Sequence, residues 1–133
     1  MDTDTVIPAA TDQAMAGEDY AAYLPHIRRR WLAEQAAWAQ RREEAWLAVR
    51  EVVAILRTRF GAREVVAFGS LTGRGPFSER SDVDLAVAGI PPGEFFRAWA
   101  VASAACPLEL DLVDLADCSP GLRKLIAEEG VPL

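Results

Sequence analysis

The sequence is poor in the residues that form disulfide frameworks, zinc sites and histidine-based catalytic groups. Its 133 residues include two cysteines and one histidine. Cys106 and Cys118 are too few for a framework and lack metal-ligand spacing, so we interpret them as free thiols in a reducing compartment. His26 is better explained by a structural or solvent-exposed role than by catalysis. The sequence contains no Ser-His-Asp set, no Walker loop and no zinc motif.

Basic charge and long apolar runs are scarce as well. The chain has 14 lysines and arginines against 20 aspartates and glutamates, a net charge of −6 at pH 7. Proteins that bind nucleic acid through its phosphates normally carry an excess of basic residues, so direct nucleic-acid binding is not expected. No apolar run approaches the ~18 residues of a membrane span, and the opening residues are acidic, unlike a secretory leader. We therefore expect a cytoplasmic protein without a membrane partner.

What the sequence does contain is enough apolar material for one folded core. Hydrophobic residues make up 51% of the chain and charged residues 26%, a composition typical of soluble globular proteins. A chain of this length supports one core and not two. We predict a flexible tail over residues 1–19, a helical extension over residues 20–45 and a folded domain over residues 46–133.

A long helix is predicted from Pro25 to Phe60, a segment rich in alanine, glutamate, arginine and leucine and free of internal glycine. Pro25 suits the first helical turn, and Gly61 suits the position just after the helix end. Helical spacing of apolar residues from about residue 45 onward indicates a core-facing side. The first half carries Trp31 and Trp38 among many charges. One helix, or two helices joined by a kink, would satisfy this pattern.

Short strands and helices alternate after the long helix. A short apolar run or an alternation of polar and apolar residues marks each strand, and glycine or proline marks the boundaries. Ser119 and Pro120 have the residue types of a helix N-cap and a first helical position. The predicted elements are strands at residues 64–68, 82–87 and 108–113 and helices at residues 94–104 and 120–129.

Two aspartates on the second predicted strand carry the strongest chemical signal. Asp82 and Asp84 are two residues apart, so their side chains project from the same face of the strand. Adjacent carboxylates repel each other unless a cation lies between them, and Mg²⁺ prefers oxygen ligands together with substrate phosphates. Asp111, in the third strand, would complete a three-carboxylate cluster if the two strands are neighbours. Such a cluster can hold two metal ions for phosphoryl transfer, whereas the alternative explanation is a solvated strand face.

The first predicted strand runs directly into Gly69 and Ser70. A glycine lets the backbone approach a phosphate closely, and free backbone N–H groups beside a hydroxyl form an anion site. Alone, the pair is equally well explained as an ordinary turn. The order along the chain is more informative, because a phosphate-binding turn, twin carboxylates and a third carboxylate follow one another.

The segments FGSL at residues 68–71 and SDVDL at residues 81–85 resemble the signature of the nucleotidyltransferase superfamily that includes DNA polymerase β. The resemblance is to the minimal nucleotidyltransferase (MNT) branch, and it covers the chain from about Val49 to its end. It implies an α+β fold with a polymerase β-like core, in which helices flank a small mixed sheet. A long N-terminal helix would be added to that core, and residues 46–133 would be the nucleotidyltransferase domain.

The resemblance also implies roles for individual residues. Two Mg²⁺ ions and ATP, as the nucleotide donor, are the implied cofactors. Asp111 would bind metal and help to activate the acceptor hydroxyl, and Arg80 is a further candidate for neutralising phosphate charge. The implied nucleotide-binding residues are Gly69, Ser70 and Arg74, and the implied metal ligands and catalytic residues are Asp82, Asp84 and Asp111.

Proteins of the MNT branch are commonly encoded beside a HEPN-domain ribonuclease toxin and act as its antitoxin, by transferring AMP from ATP to a tyrosine. The resemblance therefore implies a HEPN toxin partner. The short chain after Asp111 leaves little room for an acceptor pocket, so we expect a partner to supply the acceptor. Trp31 and Trp38 could dock that partner, pack on the protein's own domain or form an oligomer. An antitoxin that neutralises by binding alone, and a transferase for a small hydroxylated substrate, stay open as alternatives.

Overall fold

A computed structural model describes residues 18–73 and 75–133 of the chain. The chain divides into two compact units, residues 1–38 and residues 39–133. Most of the predicted tail, residues 1–17, lies outside the described residues, and so does Arg74. The described part of the first unit is helical, and the second unit holds the sheet and the candidate site.

Helix α1 extends from Glu18 to Phe60 as one uninterrupted helix. The predicted end at Phe60 is confirmed. The predicted start at Pro25 is wrong, because Pro25 lies inside the helix, where its ring forfeits one backbone hydrogen bond. Residues 18–24 contain no glycine or further proline, so the helical path continues upstream of Pro25. Gly61 ends the helix with a φ of +76°, and the backbone N–H of Ala62 donates to the carbonyl of Leu56 at 2.9 Å.

Four strands form one mixed sheet in the order β3-β2-β1-β4. Strand β1 pairs antiparallel with β2 and with β4, whereas β2 and β3 pair in parallel. Strand β4 was not predicted from the sequence, because two residues are too short for any alternating pattern. The strands are β1 (Glu64–Phe68), β2 (Val83–Ala88), β3 (Leu110–Asp114) and β4 (Val131–Pro132).

Two further helices complete the second unit. Helix α2 (Phe95–Ala104) lies between the parallel strands β2 and β3 in the chain, as a parallel pair requires a crossover connection. Helix α3 (Pro120–Glu129) begins as predicted, because the Ser119 hydroxyl accepts a hydrogen bond from the backbone N–H of Leu122 at 3.2 Å. The side chain of Trp99 in α2 donates to the carbonyl of Leu110 at 2.7 Å and ties that helix to β3.

The core of the second unit is built by alternate strand residues and by one stripe of α1. Burying each such aliphatic side chain contributes about 1.5–3 kcal/mol. The opposite residues of β2 and β3 are therefore free to be polar. The buried residues that carry this core are Ala45, Val49, Val52, Leu56, Val65, Ala67, Val83, Leu85, Val87, Leu110 and Leu112.

Cys106 and Cys118 are free and partly buried, as the sequence predicted. Within residues 18–73 and 75–133, no helix combines the length and the apolar composition needed to cross a bilayer.

Candidate active site

Three aspartates form a row at the end of the sheet where β1 finishes and where β2 and β3 begin. In the parallel pair, Asp84 lies directly opposite Asp111, and on its other side Asp84 lies opposite Phe68 of β1. Opposed residues share a face of a sheet, so the two carboxylates project to the same side. Asp82 lies immediately before β2 and two residues before Asp84, on the same side of the strand. The sequence-based condition that the second and third strands be neighbours is met, and we call Asp82, Asp84 and Asp111 the acidic row.

The acidic row carries uncompensated negative charge. The pKa of Asp84 is raised from its usual 3.8 to about 6, chiefly by burial and then by the negative charges of Asp111 and Asp82, in that order of effect. Neither of the two salt bridges found among the described residues involves these carboxylates. A cation near Asp84 would reverse the effect of its neighbours and stabilise the ionised carboxylate.

The turn after β1 brings the backbone against the acidic row. Residues Gly69–Leu71 form one turn of 3₁₀-helix. Gly69 has a φ of +76°, and a Cβ atom built there would overlap the carboxylate of Asp84. Both observations require glycine at this position, because no other residue tolerates the conformation and the close approach together. Ser70 is exposed at the same turn, so the predicted phosphate-binding pair and the acidic row lie side by side.

Arg42 of helix α1 holds this turn and the loop that follows it. Its guanidinium Nη2 donates to the carbonyl of Ser70 at 3.2 Å and to that of Gly75 at 2.7 Å. The same guanidinium lies 5.2 Å from the ring centroid of Phe77, which is fully buried. Sequence reasoning missed Arg42. The available signal was its position three residues before Ala45, on the stripe of α1 that faces the core.

A tight turn of serines leads into Asp82. The backbone N–H of Ser78 donates to the hydroxyl of Ser81 at 3.0 Å, and the N–H of Ser81 donates to the carbonyl of Ser78 at 3.1 Å. Beyond this turn, the N–H of Val83 donates to the carbonyl of Glu109 at 2.9 Å, which continues the pairing of β2 with the chain before β3. Asp82 therefore lies between two segments that are ordered by backbone hydrogen bonds.

A cavity of about 590 Å³ opens beside the acidic row. It has the volume of a small-molecule or side-chain site. Asp82 lines it, and Arg80 lies exposed at its wall. The complete lining is Arg41, Glu44, Phe77, Ser78, Glu79, Arg80, Ser81, Asp82, Pro107, Leu108 and Glu109.

The residues present fit a metal–nucleotide pair better than a metal alone. In the described part of the chain, no three acidic, histidine or cysteine side chains converge closely enough to enclose a metal ion. Mg²⁺ is usually held by one or two carboxylates and by phosphate oxygens of its substrate, not by a complete protein cage. The acidic row, beside a glycine turn open to a phosphate, could supply such a partial ligand set. Arg74, the third predicted nucleotide-binding residue, lies outside the described residues.

The chain resembles known proteins at the level of three-dimensional structure. No protein-family model and no curated protein matches the chain. A solved structure of a candidate minimal nucleotidyltransferase is 29% identical, covers 75% of this chain and 96% of its own, and superposes with a TM-score of 0.53. The fold is that of a minimal nucleotidyltransferase. The predicted resemblance and the predicted α+β class are both confirmed.

The minimal nucleotidyltransferase fold is also shared with chains from toxin–antitoxin structures. One comes from a complex of a tri-AMPylated Shewanella oneidensis HEPN toxin with an MNT antitoxin, with 21% identity, 66% of this chain and 70% of that chain covered, and a TM-score of 0.52. Another comes from a toxin–antitoxin structure with AMP-PNP. It is 22% identical, the match covers 62% of this chain and 69% of that chain, and the TM-score is 0.55. At these identities the likeness shows the fold alone.

Proposed function

We propose that the protein is a Mg²⁺-dependent nucleotidyltransferase that acts as an antitoxin. It transfers AMP from ATP to a hydroxyl group, that of a tyrosine, on a HEPN ribonuclease toxin. The observation that carries the proposal is the register of β2 and β3, which sets Asp84 beside Asp111 within reach of the Gly69 turn. A minimal nucleotidyltransferase needs this combination of carboxylates and phosphate-binding backbone.

The chain's own residues would act by positioning and charge. Gly69 and Ser70 bind the phosphates of ATP, and the acidic row orients the reacting groups. The acceptor oxygen forms a bond to the α-phosphorus, the bond from that phosphorus to the β-phosphate oxygen breaks, and pyrophosphate leaves with the electron pair. The hydroxyl proton passes to a carboxylate of the row, for which Asp111 is our choice. Asp82, Asp84 and Asp111 would hold Mg²⁺, which when bound would neutralise charge on the phosphates.

A HEPN toxin is the proposed acceptor because the fold recurs in antitoxins of such pairs. A tri-AMPylated toxin occurs in one of the similar structures and AMP-PNP in another. An AMPylated toxin and a bound ATP analogue are both consistent with a reaction in which ATP donates AMP to the partner. The helical first unit, with the partly exposed Trp31 and Trp38, is the part of the chain that we propose contacts this partner.

The test requires a HEPN protein as the acceptor, and a HEPN protein encoded beside this chain would be the first choice. The two purified proteins are incubated with ATP and Mg²⁺, and the intact mass and the ribonuclease activity of the HEPN protein are measured. We expect a mass gain of one or more AMP units with loss of ribonuclease activity. The double variant Asp82→Asn/Asp84→Asn should cause no mass gain and no loss of ribonuclease activity. Asp114→Asn, which removes a carboxylate on the other face of β3, should cause both as the wild type does. Full neutralisation without any mass gain would contradict the proposal and indicate an antitoxin that works by binding alone.

A further inference from the structure

The acidic row has two differently surrounded ends. At one end, Asp84 is pressed against Gly69 of the turn that we propose binds the phosphates. At the other end, Asp82 lines the cavity of about 590 Å³. Gly69, Ser70 and Asp84 do not line that cavity. A group in the cavity would therefore meet the row at Asp82.

The charges around the cavity are unsuited to a triphosphate. Arg41 and Glu79 form an exposed salt bridge of 2.9 Å, and their opposite charges cancel in the charge balance of the cavity. Of the remaining lining groups, Arg80 is the one cation, and Glu44, Asp82 and Glu109 are acidic. Even with Asp82 neutralised by a cation, Glu44 and Glu109 outnumber Arg80. This balance repels an anion and attracts a basic group.

The cavity also has an apolar wall. Exposed Pro107 and partly buried Leu108 supply its accessible apolar surface, and Phe77, also among the lining residues, is fully buried. An apolar wall with a carboxylate at one end suits an aromatic ring that carries a hydroxyl. The volume is sufficient for such a side chain together with the residues next to it.

We propose that this cavity binds the acceptor: a tyrosine side chain of the partner protein, with a basic residue adjacent to it in sequence. This inference rests on the proposed function, since it assigns the acceptor of that reaction. The tyrosine ring lies along the apolar wall, and its hydroxyl passes Asp82 to reach Asp111, the proposed acceptor of its proton. The adjacent basic residue lies against Glu109 and Glu44. Charge recognition at the cavity thus selects which hydroxyl receives AMP.

The first experiment separates acceptor binding from nucleotide binding by filling the cavity. Leu108→Trp enlarges a partly buried lining residue, and Leu125→Trp makes the same change at an exposed position on α3. Each protein is titrated with AMP-PNP and Mg²⁺ by calorimetry, after a thermal melt has verified folding. Transfer is then measured by mass spectrometry, with ATP and a synthetic peptide whose single tyrosine lies between two lysines. We expect Leu108→Trp to bind AMP-PNP normally and to label the peptide at least about tenfold more slowly, a loss of about 1.4 kcal/mol.

The second experiment tests the charge of the cavity with surface variants that keep the fold. Glu109→Lys reverses a charge at the cavity, and Glu64→Lys makes the same reversal at an exposed residue of β1, at the end away from Gly69. A second peptide, with the tyrosine between two glutamates, is compared with the lysine peptide. Wild-type protein and Glu64→Lys should label the lysine peptide about tenfold faster than the glutamate peptide. Glu109→Lys should lose that preference.

The outcomes distinguish this inference from the proposed function. Equal labelling of the two peptides by the wild type, or normal labelling by Leu108→Trp, overturns the inference and leaves nucleotidyl transfer standing. Weakened AMP-PNP binding in Leu108→Trp also overturns it, since the cavity would then hold the nucleotide. AMP-PNP binding without labelling of either peptide counts against the cavity as a tyrosine site. A wild-type protein that neither binds AMP-PNP nor labels any acceptor overturns the proposed function itself.

Discussion

Three neighbours act on Asp84, and no other aspartate in residues 18–73 and 75–133 has all three. The backbone of Gly69 approaches its carboxylate, and the charges of Asp111 and Asp82 raise its pKa. A group held in this way is destabilising when alone and becomes favourable once a cation arrives. Under the proposed function, binding of a cation offsets the stability that is lost at this residue.

Replacing Gly69 by alanine tests the close approach of the backbone. Gly69→Ala forces a methyl group against Asp84 and strains a φ of +76°, whereas Gly61→Ala strains the same φ with open space around it. We expect both variants to lose about 1–3 kcal/mol of unfolding free energy. Gly69→Ala alone should weaken AMP-PNP binding, by at least about tenfold. Calorimetry and thermal melts measure the two effects, and equal AMP-PNP affinity in both variants would contradict the account.

The raised pKa of Asp84 predicts a pH-dependent cost in metal-free protein. The folded-state pKa is about 6 and the usual value is 3.8, so the folded protein holds this proton more tightly than the unfolded chain. The resulting stabilisation is complete below about pH 4 and is lost as the pH rises through about 6. Asp84→Asn has no such loss. In a chelating buffer at about pH 7.5, the unfolding free energy of this variant should exceed that of wild type by on the order of 1 kcal/mol, which corresponds to about 3–5 °C in Tm.

At about pH 4 the Asp84→Asn variant should show no advantage over wild type in thermal melts. Added Mg²⁺ with AMP-PNP should raise the Tm of wild type and leave that of Asp84→Asn unchanged. Glu64→Gln, a change at an exposed carboxylate distant from the row, is the control for removal of a charge. A pH-independent difference between Asp84→Asn and wild type would show that the row does not perturb Asp84.

Among the secondary-structure elements, two relations assemble the site. The parallel register of β2 and β3 sets Asp111 beside Asp84, and Arg42 of α1 joins the helix to the turn after β1. Each relation links segments that are distant in the chain. The site therefore depends on tertiary structure and not on the local motif alone.

Arg42→Ala is predicted to loosen the phosphate-binding turn. The variant removes donors to the carbonyls of Ser70 and Gly75, and a hydrogen bond to a charged group contributes about 1.5–3 kcal/mol. We expect faster backbone hydrogen exchange over residues 70–77 and AMP-PNP binding weakened about tenfold. Arg41→Ala, which removes an exposed ion pair with Glu79, should change both by less than about twofold. Similar effects from the two arginines would refute the specific role of Arg42.

Asp111→Asn tests the strand register without reference to the toxin. Removing the charge that lies opposite Asp84 should lower the pKa of Asp84, measurable by NMR titration of its carboxyl carbon. Transfer of AMP should fall by at least about a hundredfold. Asp114→Asn lies opposite Val87, three residues further along β3 and on the other face, and should leave both quantities unchanged. An unaltered Asp84 pKa in Asp111→Asn would contradict the observed pairing.

Local chemistry made several elements predictable from the sequence. Strands β1 and β2, the Ser119 cap and the end of α1 each follow from a pattern within a few residues. The pairing of Asp84 with Asp111 was conditional, because strand order is decided by non-local packing. Arg42 was missed because it is one arginine among many on a helix, and its partners are 28 and 33 residues away. Pro25 was misplaced because a helix can absorb one missing hydrogen bond.

At the scale of the whole molecule, the protein is a small acidic chain whose described residues hold a candidate active site with a cavity beside it. The fold is shared with structures that are only 21–29% identical, so it tolerates wide change in sequence. Under the proposed function, a separate protein completes the reaction.

Docking through the first unit is testable with Trp31→Glu and Trp38→Glu. Both tryptophans are partly exposed on α1, and aromatic residues commonly anchor protein interfaces. We expect each change to weaken binding of the HEPN partner by at least about tenfold while AMP-PNP affinity is unchanged. Leu47→Glu, at a position 56% exposed in the second unit, is the matched control and should retain partner binding. Undiminished partner affinity in both tryptophan variants would exclude this docking surface.

The most direct test of nucleotidyl transfer follows the two ends of ATP separately. The protein and its HEPN partner are incubated with Mg²⁺ and with ATP labelled at either the α-phosphate or the γ-phosphate. We predict that the α label appears on a tyrosine of the HEPN protein and the γ label in pyrophosphate, and that Asp82→Asn/Asp84→Asn produces neither. A γ label on the partner, or a neutralised partner that carries no label, would contradict nucleotidyl transfer by the acidic row.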